Sequence, residues 1–228
     1  MGSDALFLVF DTSAAHCAAA VVRGDAVLAG ASEPMARGQA EALVPLLQRL
    51  MAEAGVELAD LTALGVGVGP GNFTGTRIAV ATARGLALAL GRPAIGISTF
   101  DLVRDPARLR AEPAELLSVP APRAMAYVRQ YRYGLPRARP RLVDPADPPE
   151  DLRLPAEMRV TGFRAGEIAR AFDADHREAA LEDLPRRLGQ VTEWKWRNRI
   201  DTDRRPAPLY VRPPDAAPPA DAPPAILP

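Results

Sequence analysis

The residues best suited to chemistry in this 228-residue sequence lie in a glycine-rich run between two apolar stretches. A strand predicted over Leu64–Val68 feeds a loop that contains Gly69, Gly71 and Gly75, and a helix is expected to begin near 74–76. Glycines permit positive φ and close backbone approach, and a helix start offers unpaired N–H groups, so such a corner can hold an anion. The run fits neither common phosphate-loop spacing, because no Lys-Ser or Lys-Thr pair follows the last glycine. A tight structural turn is the favoured interpretation, with phosphate binding as the alternative.

A second polar group, Asp11, Thr12 and Ser13, directly follows the first predicted strand, Leu6–Phe10. A carboxylate at this place could contact a metal-bound water, and the two hydroxyls could bind a phosphate. Asp11, Thr12 and Ser13, together with Gly71, are therefore the candidate nucleotide contacts. The same side chains can instead cap a turn by bonding the nearby backbone. We favour the cap, because the later sequence offers no second acidic residue at a matching loop.

The other reactive side chains favour structural interpretations. Cys17 lies in an apolar strand with no predicted base beside it, which is typical of a packed small hydrophobe. His16 and His176 are isolated, without a carboxylate or cysteine pattern nearby, so no metal site is expected. The basic and aromatic cluster Trp194–Arg199 could stack bases and touch phosphates. A solvated turn anchored by one tryptophan is the favoured alternative.

The helix predicted over Thr76–Leu90 is small or apolar nearly all round, so it should be buried on most faces. Small residues on several faces let a second helix approach closely, either within the chain or across a subunit interface. Arg77 and Arg84 lie two turns apart on one side and could pair with a partner's carboxylates or with nucleic-acid phosphates. The formal net charge of +0 favours protein contacts.

The elements around these residues follow in the order strand, strand, strand, helix, strand, helix, strand. Beyond the segments already given, they are Cys17–Val22, Ala26–Ala31, the amphipathic helix Gln39–Ala54 closed by Gly55, and Ala94–Ser98. The first three strands form an antiparallel meander, and the whole order is typical of a ribonuclease-H-like α/β domain. Pro45 inside the first helix predicts a local bend or a late helix start.

The second half of the sequence has weaker patterns. Its expected elements are a helix at Asp101–Glu112, strands at Glu115–Pro120 and Met125–Tyr133, a proline-rich connection at Pro136–Pro155, a strand at Arg159–Phe163, a helix at Gly166–Phe172 and a non-helical tail at Pro206–Pro228. One cysteine excludes an internal disulfide framework and fits a reducing compartment. No signal peptide and no apolar run of about 20 residues is found, so a cytoplasmic protein without membrane contact is expected.

With these stretches in place, the chain resembles the bacterial TsaB family, also called YeaZ, a subunit of the tRNA threonylcarbamoyladenosine system. The run Gly69-Pro-Gly-Asn-Phe-Thr-Gly-Thr-Arg77 is specific, whereas the Asp-Thr-Ser turn is shared with many actin-like ATPases. The remaining segments that carry the resemblance are Phe10–Ser13, Cys17–Val21, Glu41–Leu46, Ala83–Ala87 and Pro208–Asp215. The chain departs from the family pattern at two residues, Gln39 and Asn72, and in two segments, Val119–Arg123 and Val191–Arg205.

The resemblance implies an actin-like (ASKHA) fold of two ribonuclease-H-like lobes, 1–103 and a reduced second lobe with a proline-rich tail, 104–228. It implies a non-catalytic subunit that pairs with a catalytic TsaD-like paralogue and cooperates with a TsaE-like ATPase. The product would be the threonylcarbamoyl group on N6 of tRNA adenosine 37, with tRNA contacted indirectly and no cofactor in this chain. A homodimer is the alternative state.

The resemblance also implies that the alanine-rich helix forms a helical interface. The expected interface residues are Phe73, Thr74, Arg77, Val80, Ala83, Arg84 and Ala87. The rival hypothesis is an actin-like ATPase or kinase that uses Asp11 and the Gly69–Gly75 loop. A protease has little support, because no serine or cysteine has a plausible histidine partner. A further alternative is a divergent family member whose altered second half serves another partner.

Overall fold

The computed structural model describes residues 4–104, 114–153 and 158–211, and these residues build two sheets flanked by helices. The first sheet has five strands in the order β3-β2-β1-β4-β5. Their bounds are β1 Leu6–Asp11, β2 His16–Arg23, β3 Ala26–Pro34, β4 Ala63–Gly69 and β5 Ala94–Ser98. Strands β1 to β3 are antiparallel, and β4 pairs in parallel with β1 and with β5. The predicted meander and strand order are therefore confirmed.

Helices cover both faces of the first sheet. On one face lie α1 (Gln39–Ala54) and α2 (Phe73–Leu90), which pack against residues such as Leu8 and Phe10. Helix α1 has the predicted bounds and ends in a left-handed Gly55 with φ of 64°. It begins before Pro45, so the late helix start was wrong. A short 3-10 helix, Leu58–Asp60, leads into β4.

The second sheet has the order β11-β10-β6-β7-β8, and β9 pairs with β7 beside β8. Its strands are β6 Glu115–Pro120, β7 Ala126–Arg132, β8 Leu135–Pro136, β9 Arg141–Val143, β10 Arg159–Gly162 and β11 Asp175–Glu178. Helix α4, Ala165–Phe172, begins one residue earlier than predicted and packs on β10 and β11. The connection predicted from residue 136 onward contains β9 and a 3-10 turn at Glu150–Leu152.

Between the sheets the helix predicted from residue 101 is shorter than expected. Helix α3 spans Thr99–Val103 and starts from a capping box between Ser98 and Asp101. Residues 105–112 of that prediction lie outside the described ranges.

The largest departure is helix α5, Leu184–Arg197, which follows the second sheet in sequence but packs on the first. Its Leu188 and Val191 lie on Phe7 and Val9, on the face opposite α1 and α2. The sequence had predicted a solvated turn around residues 194–199, and that prediction was wrong. The apolar positions of α5 are diluted by arginines and a glycine, which hides the helical period.

The basic and aromatic cluster is used inside the fold. Lys195 is 6% exposed, and its ammonium donates to the carbonyl of Gly96. The ring of Trp196 meets Phe7 edge-on, with 6.2 Å between centroids. Lys195 and Trp196 are therefore not open to bases and phosphates, whereas Arg197 and Arg199 are exposed and Trp194 lines a cavity described below. Among the helices of the described ranges, none is long and apolar enough to cross a membrane.

Candidate functional site

Asn72 of the glycine loop between β4 and α2 caps the N-terminus of α2. The side-chain oxygen of Asn72 accepts from the N–H groups of Thr74 at 3.0 Å and Gly75 at 3.2 Å. Helix α2 starts at Phe73, just before the predicted start. Because these N–H groups already have an acceptor in the chain, the place where an anion would bind is occupied by the cap.

The Asp-Thr-Ser turn packs directly onto this loop. Thr12 donates its hydroxyl to the carbonyl of Gly75 at 2.7 Å, and the N–H of Asn72 donates to the carbonyl of Ser13 at 2.5 Å. A Cβ added at Gly75 would overlap the carbonyl oxygen of Thr12, and one at Gly71 would overlap that of Ser13. The two glycines are therefore required for loop-on-loop packing, a role that demands the same small residue as phosphate binding.

The carboxylate of Asp11 is hydrogen-bonded to residues at the same turn. It accepts from the N–H of Ser13 at 2.9 Å and from its hydroxyl at 3.0 Å, and it lies 3.0 Å from Nε2 of His16. Asp11, Thr12 and Ser13 are 2%, 0% and 4% exposed. Asp11 and Ser13 therefore bond each other and Thr12 bonds the glycine loop, whereas Gly71 is exposed. Turn capping accounts for the two bonds between Asp11 and Ser13, whereas Thr12 bonds across to the glycine loop and Asp11 also contacts His16.

Two expectations about reactive residues have different outcomes. His16 was expected to lack a carboxylate partner, and this was wrong, because Asp11 is adjacent to it across the turn. Cys17 is fully buried, and burial, with smaller contributions from Glu33 and Asp11, raises the pKa of its thiol to about 11. It is a packed hydrophobe, as expected. Across the residues that the structure describes, no three His, Cys, Asp or Glu side chains are grouped for a metal ion.

The packing of the glycine loop predicts opposite effects for two glycines of the same helix. Gly75→Ala should lower the free energy of unfolding by about 1–3 kcal/mol, because the new methyl overlaps Thr12. Gly85→Ala is the matched control, since a Cβ there meets nothing within 4 Å. It should raise stability by roughly 0.5–1 kcal/mol through the helix propensity of alanine. Urea unfolding measures both, and equal stability of Gly75→Ala and the parent chain would contradict the packing.

Helix α2 presents one face to the core and another to the surface. Gly75, Thr76, Ala79, Val80 and Ala83 face the core. Val80 and Ala83, expected at an interface, are 3% and 0% exposed and belong to the core of the first sheet. Those two assignments are corrected, because a side chain in the core cannot contact a partner.

The outer face of α2 carries residues that sequence reasoning did not select. We call Ala81, Gly85 and Leu88, all exposed, the outer stripe. Leu88 is 83% exposed, the most exposed large apolar side chain among those described. The residues of the stripe are three or four apart and offset from the buried set. That spacing was present in the sequence but was masked by small residues on every face.

Two arginines of α2 donate hydrogen bonds to the last segment that the structure describes. Residues 206–211, here the C-terminal strap, run along the helix without regular secondary structure. Arg77 donates to the hydroxyl of Tyr210 at 2.9 Å, and Arg84 donates to the carbonyl of Pro206 at 2.8 Å. The ring of Phe73 lies 4.9 Å from that of Tyr210. These three predicted interface residues therefore already have partners within the chain, while Thr74 is exposed and Ala87 half-buried.

Comparison with solved structures defines the class of protein. A hexokinase of the ROK class from Thermus thermophilus superposes with a TM-score of 0.50 at 15% identity, over 85% of this chain and 99% of that one. The two sheets with their flanking helices thus form the actin-like (ASKHA) α/β fold. YeaZ from Pseudomonas aeruginosa superposes with a TM-score of 0.65 at 25% identity, over 90% of this chain and 99% of that one.

Sequence comparison defines the family. The family model for TsaD, tRNA N6-adenosine threonylcarbamoyltransferase, matches residues 33–154. An uncharacterised protein of Mycobacterium tuberculosis is 33% identical over 214 residues, which are 92% of this chain and 93% of that one. TsaB of Escherichia coli is 37% identical over 93 residues, 41% of this chain. The chain belongs to the TsaB (YeaZ) family. It spans 40% of the length of E. coli TsaB and 53% of that of Buchnera aphidicola TsaB.

Proposed function

We propose that this chain is a non-catalytic subunit of the system that forms threonylcarbamoyladenosine in tRNA. Family membership supports the pathway, since the E. coli and Buchnera relatives are named tRNA threonylcarbamoyladenosine biosynthesis proteins. The observation that carries the subunit role is the outer stripe of α2, an exposed surface of small and apolar residues that ends at Leu88. We take this stripe as the contact surface because its small residues leave room for a facing helix and Leu88 offers that helix an apolar anchor.

The arrangement of the glycine loop supports a scaffold over an ATPase or kinase. Such an enzyme needs a carboxylate and a phosphate-binding loop that are open to the nucleotide. Here Asp11 is 2% exposed and bonded to its own turn, and Asn72 caps the helix. The residues that the rival hypothesis requires instead join the β1–β2 turn to the start of α2, which makes α2 a rigid base for an interface.

The proposed partner is a TsaD-like paralogue that pairs with this chain through α2. Small residues at Ala81 and Gly85 would let a facing helix approach to about 8–10 Å between axes, and Leu88 would pack between the two helices. A paralogue of the same fold would present its own equivalent helix, so the pairing resembles that of a symmetric dimer. A second copy of this chain would use the same surface in the absence of the paralogue. A TsaE-like ATPase and tRNA would then contact the assembly.

Size-exclusion chromatography with light scattering tests the pairing. This chain is mixed with the TsaD-like paralogue of its own organism, and the expected result is a single peak with the mass of a one-to-one complex. If the chain is a homodimer alone, the mixture should convert it to the mixed complex. Separate elution of both proteins at all concentrations would contradict the proposal.

A further inference from the structure

A cavity of about 340 Å³ lies where the two sheets meet, and it is separate from the glycine loop. The ends of β4 and β5, strands β7 and β8, the end of α5 and residues 200–209 all contribute to its walls. Its volume is at the lower end of the range for small-molecule sites, about 300–1,000 Å³.

The floor of the cavity is a hydrogen-bonded network that contains one ammonium and one carboxylate. The ammonium of Lys195 donates to the carbonyl of Gly96 at 2.7 Å and lies 3.0 Å from the carboxylate of Asp101. The hydroxyl of Tyr131 donates to the same carboxylate at 3.2 Å. Because Lys195 and Asp101 neutralise each other, the floor offers fixed polar groups without net charge.

The rim of the cavity is positively charged. Asp201 is the second carboxylate, and it lies 3.8 Å from the guanidinium of Arg204. To the described part of the chain, Arg129 donates through its Nε alone, to the carbonyl of Ala138 at 2.9 Å. Arg205 has no hydrogen bond or ion pair with any residue in the described ranges. Four cations and two carboxylates therefore line the cavity, a local excess of two positive charges in a chain whose net charge is +0.

The remaining wall is apolar and includes the indole of Trp194 with Leu135 and Ile200. We propose that this cavity binds a small phosphorylated metabolite no larger than a mononucleotide. The forks of Arg129 and Arg205 would bind the phosphate, because a guanidinium offers paired donors that match its oxygens. The uncharged part of the ligand would lie against the indole of Trp194.

Isothermal titration calorimetry with the whole chain tests this site. The probes are AMP and inorganic pyrophosphate as phosphate ligands, with adenosine as the uncharged counterpart of AMP. Arg205→Gln removes a rim charge without removing a hydrogen bond or ion pair within the described residues. Arg23→Gln, an exposed change at the end of β2, removes the same charge elsewhere. At least one phosphate probe should bind one-to-one, and Arg205→Gln should weaken it by about tenfold or more, as expected for a lost charge-assisted bond.

Arg23→Gln should bind the probe as the parent chain does, and adenosine should not bind. Absence of binding by both phosphate probes would overturn the site. Equal weakening by the two variants, or binding of adenosine as tight as that of AMP, would overturn it as well. The experiment needs no partner protein, so its failure would leave the subunit role untouched.

Discussion

Leu88→Asp is expected to weaken strongly the proposed association of this chain with a TsaD-like paralogue through α2. The parent side chain is 83% exposed and is the large apolar residue of the outer stripe, so the substitution costs the isolated chain little. In the complex it removes an apolar anchor and buries a carboxylate against another helix. A loss of about 2–4 kcal/mol in binding free energy, or roughly 30- to 1,000-fold, is expected for a central residue of this kind. Titration of the paralogue, followed by light scattering or calorimetry, measures it.

Two further variants show that the effect belongs to the outer stripe. Gly85→Arg should also block association, because its side chain projects into open space on the isolated chain but fills the room that a facing helix needs. Leu58→Asp removes an exposed leucine from the 3-10 helix outside the stripe and should leave association unchanged. Ala83 is unsuitable for this purpose, because it is 0% exposed. Normal complex formation by both Leu88→Asp and Gly85→Arg would rule out α2 as the interface.

Of the stability changes predicted for this chain, the loss caused by Lys195→Met is expected to be the largest. The side chains of Lys195 and Asp101 are 8% and 9% exposed, with 3.0 Å between ammonium and carboxylate. The substitution leaves Asp101 as a buried carboxylate without its cation, which costs about 3–5 kcal/mol in unfolding free energy. Because Asp101 also accepts from Tyr131 of the second sheet, the contact between the sheets should weaken too. Urea unfolding at pH 7 gives the difference.

A second variant keeps this prediction testable if Lys195→Met does not fold. The double variant with Asp101→Asn removes both charges and should recover part of the lost stability. The ion pair would be contradicted as the cause if Lys195→Met were as stable as the parent chain. It would also be contradicted if the double variant lost more unfolding free energy than the two single variants lose together.

The same pair predicts a dependence on pH. Burial raises the pKa of Asp101, but the ammonium of Lys195 and hydrogen bonds from Ser98 outweigh it and hold the pKa below the ordinary 3.8. The stability that this carboxylate contributes is present above the unfolded pKa and is lost as the pH falls through the lower folded value. In Lys195→Met burial acts without the cation, so the variant's carboxyl takes up a proton more readily. The stability gap between the two chains should therefore shrink as the pH falls, first through the raised pKa of the variant's carboxyl and then through the lowered pKa of the parent's.

The first sheet could be predicted because its strands are short, continuous apolar runs bounded by turn residues. Strand β5 and helix α1 have the bounds that the sequence indicated. The role of the glycine loop was harder to predict, because close packing and phosphate binding both require glycine at positions 71 and 75. Only the position of the Asp-Thr-Ser turn against the loop separates the two roles.

Helix α5 could not be predicted because its stabilising contacts are distant in sequence. Its charged Lys195 is buried only because Asp101 and the carbonyl of Gly96 lie across from it. A sequence pattern counts that lysine as a surface residue. Strand β9 was missed for another reason: three residues between prolines carry no period, and the strand depends on its pairing with β7.

The measurement that tests the subunit role most directly is the level of threonylcarbamoyladenosine in tRNA. Nucleosides from cells depleted of this chain are analysed by mass spectrometry. The depleted cells are then complemented with the parent chain, with Leu88→Asp or with Leu58→Asp, and the analysis is repeated. The proposal predicts that the nucleoside falls on depletion and returns with the parent chain and Leu58→Asp but not with Leu88→Asp. An unchanged level on depletion, or full recovery with Leu88→Asp at normal expression, would contradict it.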